Sequence, residues 1–128
     1  MSYTRTIQID GPVDDAVDKV KAALQEQGFG TLTEIDLAAT MREKLDVEVE
    51  PYVILGACNP ELAHRALEAD RSIGALLPCN VVVRAQGDRT IVDALDPSIM
   101  SQLASGLEGV ASDATERIDA ALSALGSD

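Results

Sequence analysis

Between Val47 and Leu67 the spacing of apolar residues changes once, and the change falls at Asn59-Pro60. Before it, Val47, Val49, Val53 and Leu55 alternate with Glu48, Glu50 and Tyr52, the period of a strand with one apolar and one wetter face. After it, Leu62, Ala63, Ala66 and Leu67 recur at helical spacing. An asparagine side chain accepts from the free N–H groups of a first helical turn, and proline suits the next position, where no donor is needed. A strand running straight into a helix over 60–70 is therefore predicted. Pro51 cannot donate to a ladder, so the strand is expected to bulge there or to lie at a sheet edge.

The rest of the chain alternates in the same way. Tyr3 to Ile9 reads as a strand with Ile7 and Ile9 on one face, and Asp10-Gly11-Pro12 stops it. Val13, Ala16, Val17, Val20 and Leu24 then mark a helix over about 12–27, with Asp14, Asp15 and Asp18 toward the positive end of its dipole and Gly28 as its stop. A short strand is next, over Thr31 to Ile35, then a helix over 37–45 capped by Asp36, with Leu37, Met41 and Leu45 on one stripe. A turn is expected near Ser72-Ile73-Gly74. Val81 to Val83 and Thr90 to Leu95 flank Gln86-Gly87-Asp88 as a hairpin. Asp96-Pro97 opens a helical turn, and Gly106 separates it from a long last helix, in which Leu107 to Leu125 keeps helical phase.

With no repeat, linker or break in composition, the 128 residues form one domain, ending in a short flexible tail over 126–128. The fold class is α+β: a mainly antiparallel sheet with helices on one face and a long C-terminal helix. With two Tyr, one Phe and no Trp, the core is aliphatic. If Ile54, Val82 and the neighbouring valines emerge on the other face, a second copy of the chain is expected to cover them, giving a two-fold homodimer.

The formal charge of −12, with no Lys/Arg cluster, excludes nucleic acid as a partner and disfavours anionic membrane surfaces. No apolar run approaches the roughly 20 residues that span a bilayer. The N-terminus lacks the charged start and apolar stretch of a secretory signal, so a cytoplasmic protein with free thiols is expected. Lysine is confined to Lys19, Lys21 and Lys44, a bias that suits either a high-salt cytosol or a GC-rich genome.

Val53-Ile54-Leu55-Gly56-Ala57-Cys58-Asn59-Pro60-Glu61-Leu62-Ala63, then Leu76-Leu77-Pro78-Cys79-Asn80-Val81-Val82-Val83, then Asp93-Ala94-Leu95-Asp96-Pro97, resembles the domain-of-unknown-function 302 family over nearly the whole chain. The resemblance implies a small α+β fold of TATA-binding-protein-like arrangement, usually dimeric, with no agreed biochemical activity. A function therefore has to come from the site.

That site is sought around the two cysteines. If the strand ending at Leu55 and the one beginning at Asn80 are antiparallel neighbours, residues 59–78 leave and return, and both sulfurs share one end of the sheet. A helix carrying the chain out by about 16 Å and eight residues spanning up to about 26 Å suffice for the detour. Three readings stand side by side. In the first, both cysteines are buried packing residues while Asn59, Pro60, Pro78 and Asn80 build caps and turns. In the second, Cys58, just ahead of a helix N-terminus, is an activated thiol that can bridge to Cys79. In the third, Cys58, Cys79 and His64 hold a ligand or a soft or borderline ion such as Zn or Cu(I).

On a helical wheel His64 falls near Glu61 and Glu68, where an exposed imidazole pairs with a carboxylate; at a dimer interface it could meet haem. Gly28-Phe29-Gly30 reads as a helix stop and not a dinucleotide loop, Glu48 and Glu50 as a solvated face, and Met41 and Met100 as core fillers. The expectation carried forward is a non-catalytic small-ligand, metal or thiol-dependent sensing or carrier module at Cys58, Asn59, Pro60, Pro78, Cys79 and Asn80. A thiol-redox enzyme using Cys58 and Cys79 is its alternative.

Overall fold

A computed structural model describes residues 2–126. The elements run β1 (Thr4–Ile9), α1 (Val13–Glu26), β2 (Gly30–Asp36), α2 (Leu37–Leu45), β3 (Tyr52–Cys58), α3 (Pro60–Ala69), a 3-10 turn (Arg71–Leu76), β4 (Cys79–Gln86), β5 (Arg89–Leu95), α4 (Ser98–Leu103) and α5 (Glu108–Leu125). The five strands form one sheet in the order β1-β5-β4-β3-β2, every pairing antiparallel. This is the α+β arrangement that the alternating periodicities predict. Beyond Gly126, the flexible tail expected over 126–128 lies outside the described residues.

The joints arise from local chemistry. The Asp36 carboxylate accepts from the Ala39 N–H, and Asn59 Oδ1 from the Leu62 N–H, so both caps form where the sequence puts them. Gly28, at φ +85°, takes the left-handed conformation that ends α1. Pro12 stands one residue ahead of α1, at its cap, and not within the first turn.

Helices cover one face of the sheet. Val53, Leu55 and Ala57 of β3, Val81 and Val83 of β4, and Val92 and Ala94 of β5 are buried in one cluster with Val17, Val20 and Leu24 of α1, Leu62 and Ala66 of α3, Met100 of α4 and Ile118 of α5. The alternate residues emerge opposite: Ile35 pairs with Ile54, and Ile54 with Val82, as an apolar row without a helix above it. The row passes to Asp93, which accepts from Arg84 Nε at 2.7 Å and Thr6 Oγ1 at 2.6 Å. Among the described residues no helix is long and apolar enough to cross a membrane.

Two expectations need correction. The strand over 47–55 begins only at Tyr52, and Val47 and Val49 are exposed at 45% and 36%. Asp46 turns out of α2 at φ +56°, Arg42 pairs with Glu48, and the ladder starts after the residue that has no N–H to give. Pro51 thus precedes a strand in the sheet interior, with its carbonyl accepting from Ala85 N–H at 3.0 Å. The Leu37, Met41, Leu45 stripe does not face the core either: Ala38 is the one buried residue of α2, and Leu45 is 63% exposed. A nine-residue helix placed after an edge strand has only the rim of the sheet to rest on.

Candidate functional site

β3 and β4 are antiparallel neighbours, and Ala57 faces Cys79 across the ladder. Cys58 is the next residue, so strand spacing and rise put the two cysteine Cα atoms about 6 Å apart. The excursion through residues 59–78 does return to its origin, because α3 leads out from Cys58 and the 3-10 turn leads back to Cys79. Both cysteines are free.

Cys58 and Cys79 are both among the residues that line one cavity of about 20 Å³. That is room for about one water molecule, far below the roughly 300 Å³ at which pockets for drug-sized ligands begin. Its wall is assembled from several places. β3 gives Ala57 and Cys58; Asn59 and the inner side of α3 close one flank; Phe29, just beyond α1, and Val110 and Ala114 of α5 close another. Leu77 comes from the end of the 3-10 turn, Cys79 from the start of β4, and Met100 from α4. By strand alternation Cys58 sides with Ile54, away from the core. At the last position of β3, where the chain turns into α3, it nevertheless joins Cys79 in the wall.

The two cysteines differ in burial. Burial, with the charge of Cys58 adding to it, pushes the Cys79 thiol from 9.0 up to about 11. Cys58 is half-buried and immediately precedes the α3 cap. Cys79 is therefore a protonated thiol at neutral pH, and Cys58 is the one that solvent reaches.

Asn59 is a clamp. It is 5% exposed, its Oδ1 caps α3, and its Nδ2 makes a long contact of 3.5 Å to the Gln27 carbonyl at the end of α1. A Cβ on Gly28 would lie 2.9 Å from that same Nδ2, so the glycine that ends α1 also leaves room for the clamp. Gly56 has a similar role: a Cβ there would stand 2.8 Å from Cγ of Pro78 and closer still to the Thr33 hydroxyl.

The sequence-derived site is thus only partly assembled. Cys58, Asn59 and Cys79 share the cavity wall, whereas Pro60, Pro78 and Asn80 do not belong to it. Pro60 is the exposed first residue of α3, Asn80 points from the opposite side of β4, and Pro78, joined to Leu77 by a cis peptide, packs over Gly56. His64 is not brought to the thiols. Its side chain is 75% exposed, with Nε2 3.9 Å from Glu68, because its place on α3 faces outward. Among the described residues no three His, Cys, Asp or Glu side chains group to hold a metal ion, so the Cys58, Cys79, His64 set is corrected. Glu48 and Glu50 are exposed and lie outside any strand.

Phe29 and Met100 were missed as wall residues. Their only sequence signal is apolarity, which core packing explains equally well; what places them here is the crossing of α4 and of the α1–β2 joint over the end of the sheet.

The chain as a whole has clear relatives. No curated protein matches it. Three solved chains do, among them an uncharacterized conserved protein DUF302 from Bacillus stearothermophilus, 26% identical, with a TM-score of 0.88 over 95% of this chain and 97% of that one. The family model described as "Domain of unknown function DUF302" matches residues 4–125. With both motifs, all five strands and the terminal helix inside that span, the chain belongs to the DUF302 family.

Proposed function

We propose that this protein is a non-catalytic binding module of the reducing cytoplasm, whose paired thiols take a small thiol-seeking ligand or a soft ion. The observation that carries the reading is the common cavity of Cys58 and Cys79 at the end of two adjacent strands. Binding suits the site better than turnover. The cavity is too small for a substrate and a water together. The reading includes a two-fold dimer through the helix-free face, supported by the row Ile35, Ile54 and Val82.

A thiol-redox enzyme is the second reading, favoured by the register that pairs Ala57 with Cys79: ideal strand spacing then puts the cysteine Cα atoms about 6 Å apart, in the range that disulfides span. A single experiment tests both. Phenylarsine oxide, which bonds two thiols within mutual reach and releases water, is added to the reduced chain before alkylation. One arsenical per chain, protecting both cysteines and lost in either Cys→Ser variant, is the expected result. Independent alkylation of the two thiols with no arsenical retained overturns the joint site. Catalytic consumption of a peroxide or disulfide substrate by the reduced chain would replace the binding reading with the enzymatic one.

A further inference from the structure

The cavity wall carries a third sulfur. Met100, 3% exposed on α4, lines the same space of about 20 Å³ as Cys58 and Cys79, so three sulfur-bearing residues from elements distant in sequence border one cavity. We infer that this cavity is a copper(I) site, with Cys58 Sγ and Cys79 Sγ as thiolate ligands and Met100 Sδ as the third donor. The inference rests on the binding reading above and gives it a ligand class.

Donor chemistry selects the ion. Thiolate and thioether are soft ligands that favour Cu(I), and Cu(I) accepts two or three of them without demanding a tetrahedral shell. Zinc sites close with four ligands drawn from Cys, His and carboxylates, and among the described residues no third such group stands here. The volume agrees, since a space for one water holds a bare ion and no larger cofactor. Entry is open along the rim, where Cys58, Ala63 and Leu77 are only half-buried.

The balance of the step is simple. Copper enters as Cu(I); two S–H bonds break, two Cu–S bonds form, two protons leave to solvent, and the Met100 lone pair adds without a proton. No electron moves. The two thiolates and one cation leave a single negative charge, placed beside the positive N-terminal end of the ten-residue helix α3.

The test is an anaerobic titration of the fully reduced chain with tetrakis(acetonitrile)copper(I) against bathocuproine disulfonate. Retention of one copper per chain, thiolate-to-copper absorption in the ultraviolet and release of two protons are expected. Cys58→Ser and Cys79→Ser should each abolish retention, and Met100→Leu, which conserves volume, should weaken it by about tenfold or more. Circular dichroism of each variant confirms that the fold is kept. Copper lost to the competitor by the unaltered chain, or held as tightly by folded Met100→Leu, overturns the three-sulfur site. If the arsenical is retained and copper is not, the copper assignment fails while the paired-thiol reading stands; if neither is retained, both fail.

Discussion

Val81, Val82 and Val83 are chemically one run, yet the sheet divides them between two environments. Val81 and Val83 are fully buried beneath the helices, while Val82, between them, joins Ile35 and Ile54 on the face that no helix covers. One sheet thus presents a packed face, where side-chain volume decides stability, and an open one, where the same side chains add little until something covers them. The cysteines stand at the end of this divide: Cys79 belongs to the packed face, and Cys58, by alternation on the open one, is the last residue of β3 before the α3 cap.

The largest test of the contrast is a pair of truncations. Leu55→Ala, at a position with no exposure, should cost about 2–5 kcal/mol by chemical denaturation, through lost burial plus the cavity left behind. Ile54→Ala, its neighbour on the open face, should cost about 1 kcal/mol or less in an isolated chain, and Ile54→Lys should convert a two-chain solution mass to one chain by sedimentation. Equal costs at the two positions would break the distinction between the faces. A one-chain mass for the unaltered protein at micromolar concentration would remove the dimer.

Alkali gives the next largest effect. The Cys79 thiol ionises near 9.0 when unfolded and near 11 when folded, so the folded chain holds the proton longer. Its contribution is fully present below pH 9 and is lost as pH rises from 9 to 11, amounting to about 2–3 kcal/mol by linkage. Denaturation midpoints measured across that range should fall in the unaltered chain and fall less in Cys79→Ala. A flat profile would mean that Cys79 does not share the packed environment of Val81 and Val83.

The smallest effect sharpens the comparison by crossing it. Gly56 is paired with Thr33 and Asn80 on the open side, so a small addition there ought to be harmless. The Pro78 ring and the Thr33 hydroxyl occupy that space instead, and Gly56→Ala should cost about 1–3 kcal/mol through overpacking. A neutral Gly56→Ala in thermal melts would show that the ring shifts freely.

Most joints of the fold were legible in sequence because they are local. Asp36 and Asn59 cap helices through N–H groups three residues away, Gly28 and Gly106 take positive φ where helices part, and Gly87 turns the β4–β5 hairpin. The errors came where a local pattern lacked a partner. The alternation at Val47 and Val49 reads as a strand, but a strand exists only through the neighbour it bonds, and no strand pairs there. The stripe on α2 reads as core-facing, but the helix comes after an edge strand with little to face.

What the sequence determined by itself was the order and type of the elements, the strongly acidic charge, and the family to which its paired cysteine motifs point. The tertiary structure alone decided which residues meet. It brought Phe29 and Met100 into the wall that Cys58 and Cys79 share, left Pro60, Pro78 and Asn80 out of it, and kept His64 in solvent. The physical reason is range: caps and turns are settled over a few residues by hydrogen-bond geometry, whereas a cavity wall is settled by how helices distant along the chain cross one end of a sheet.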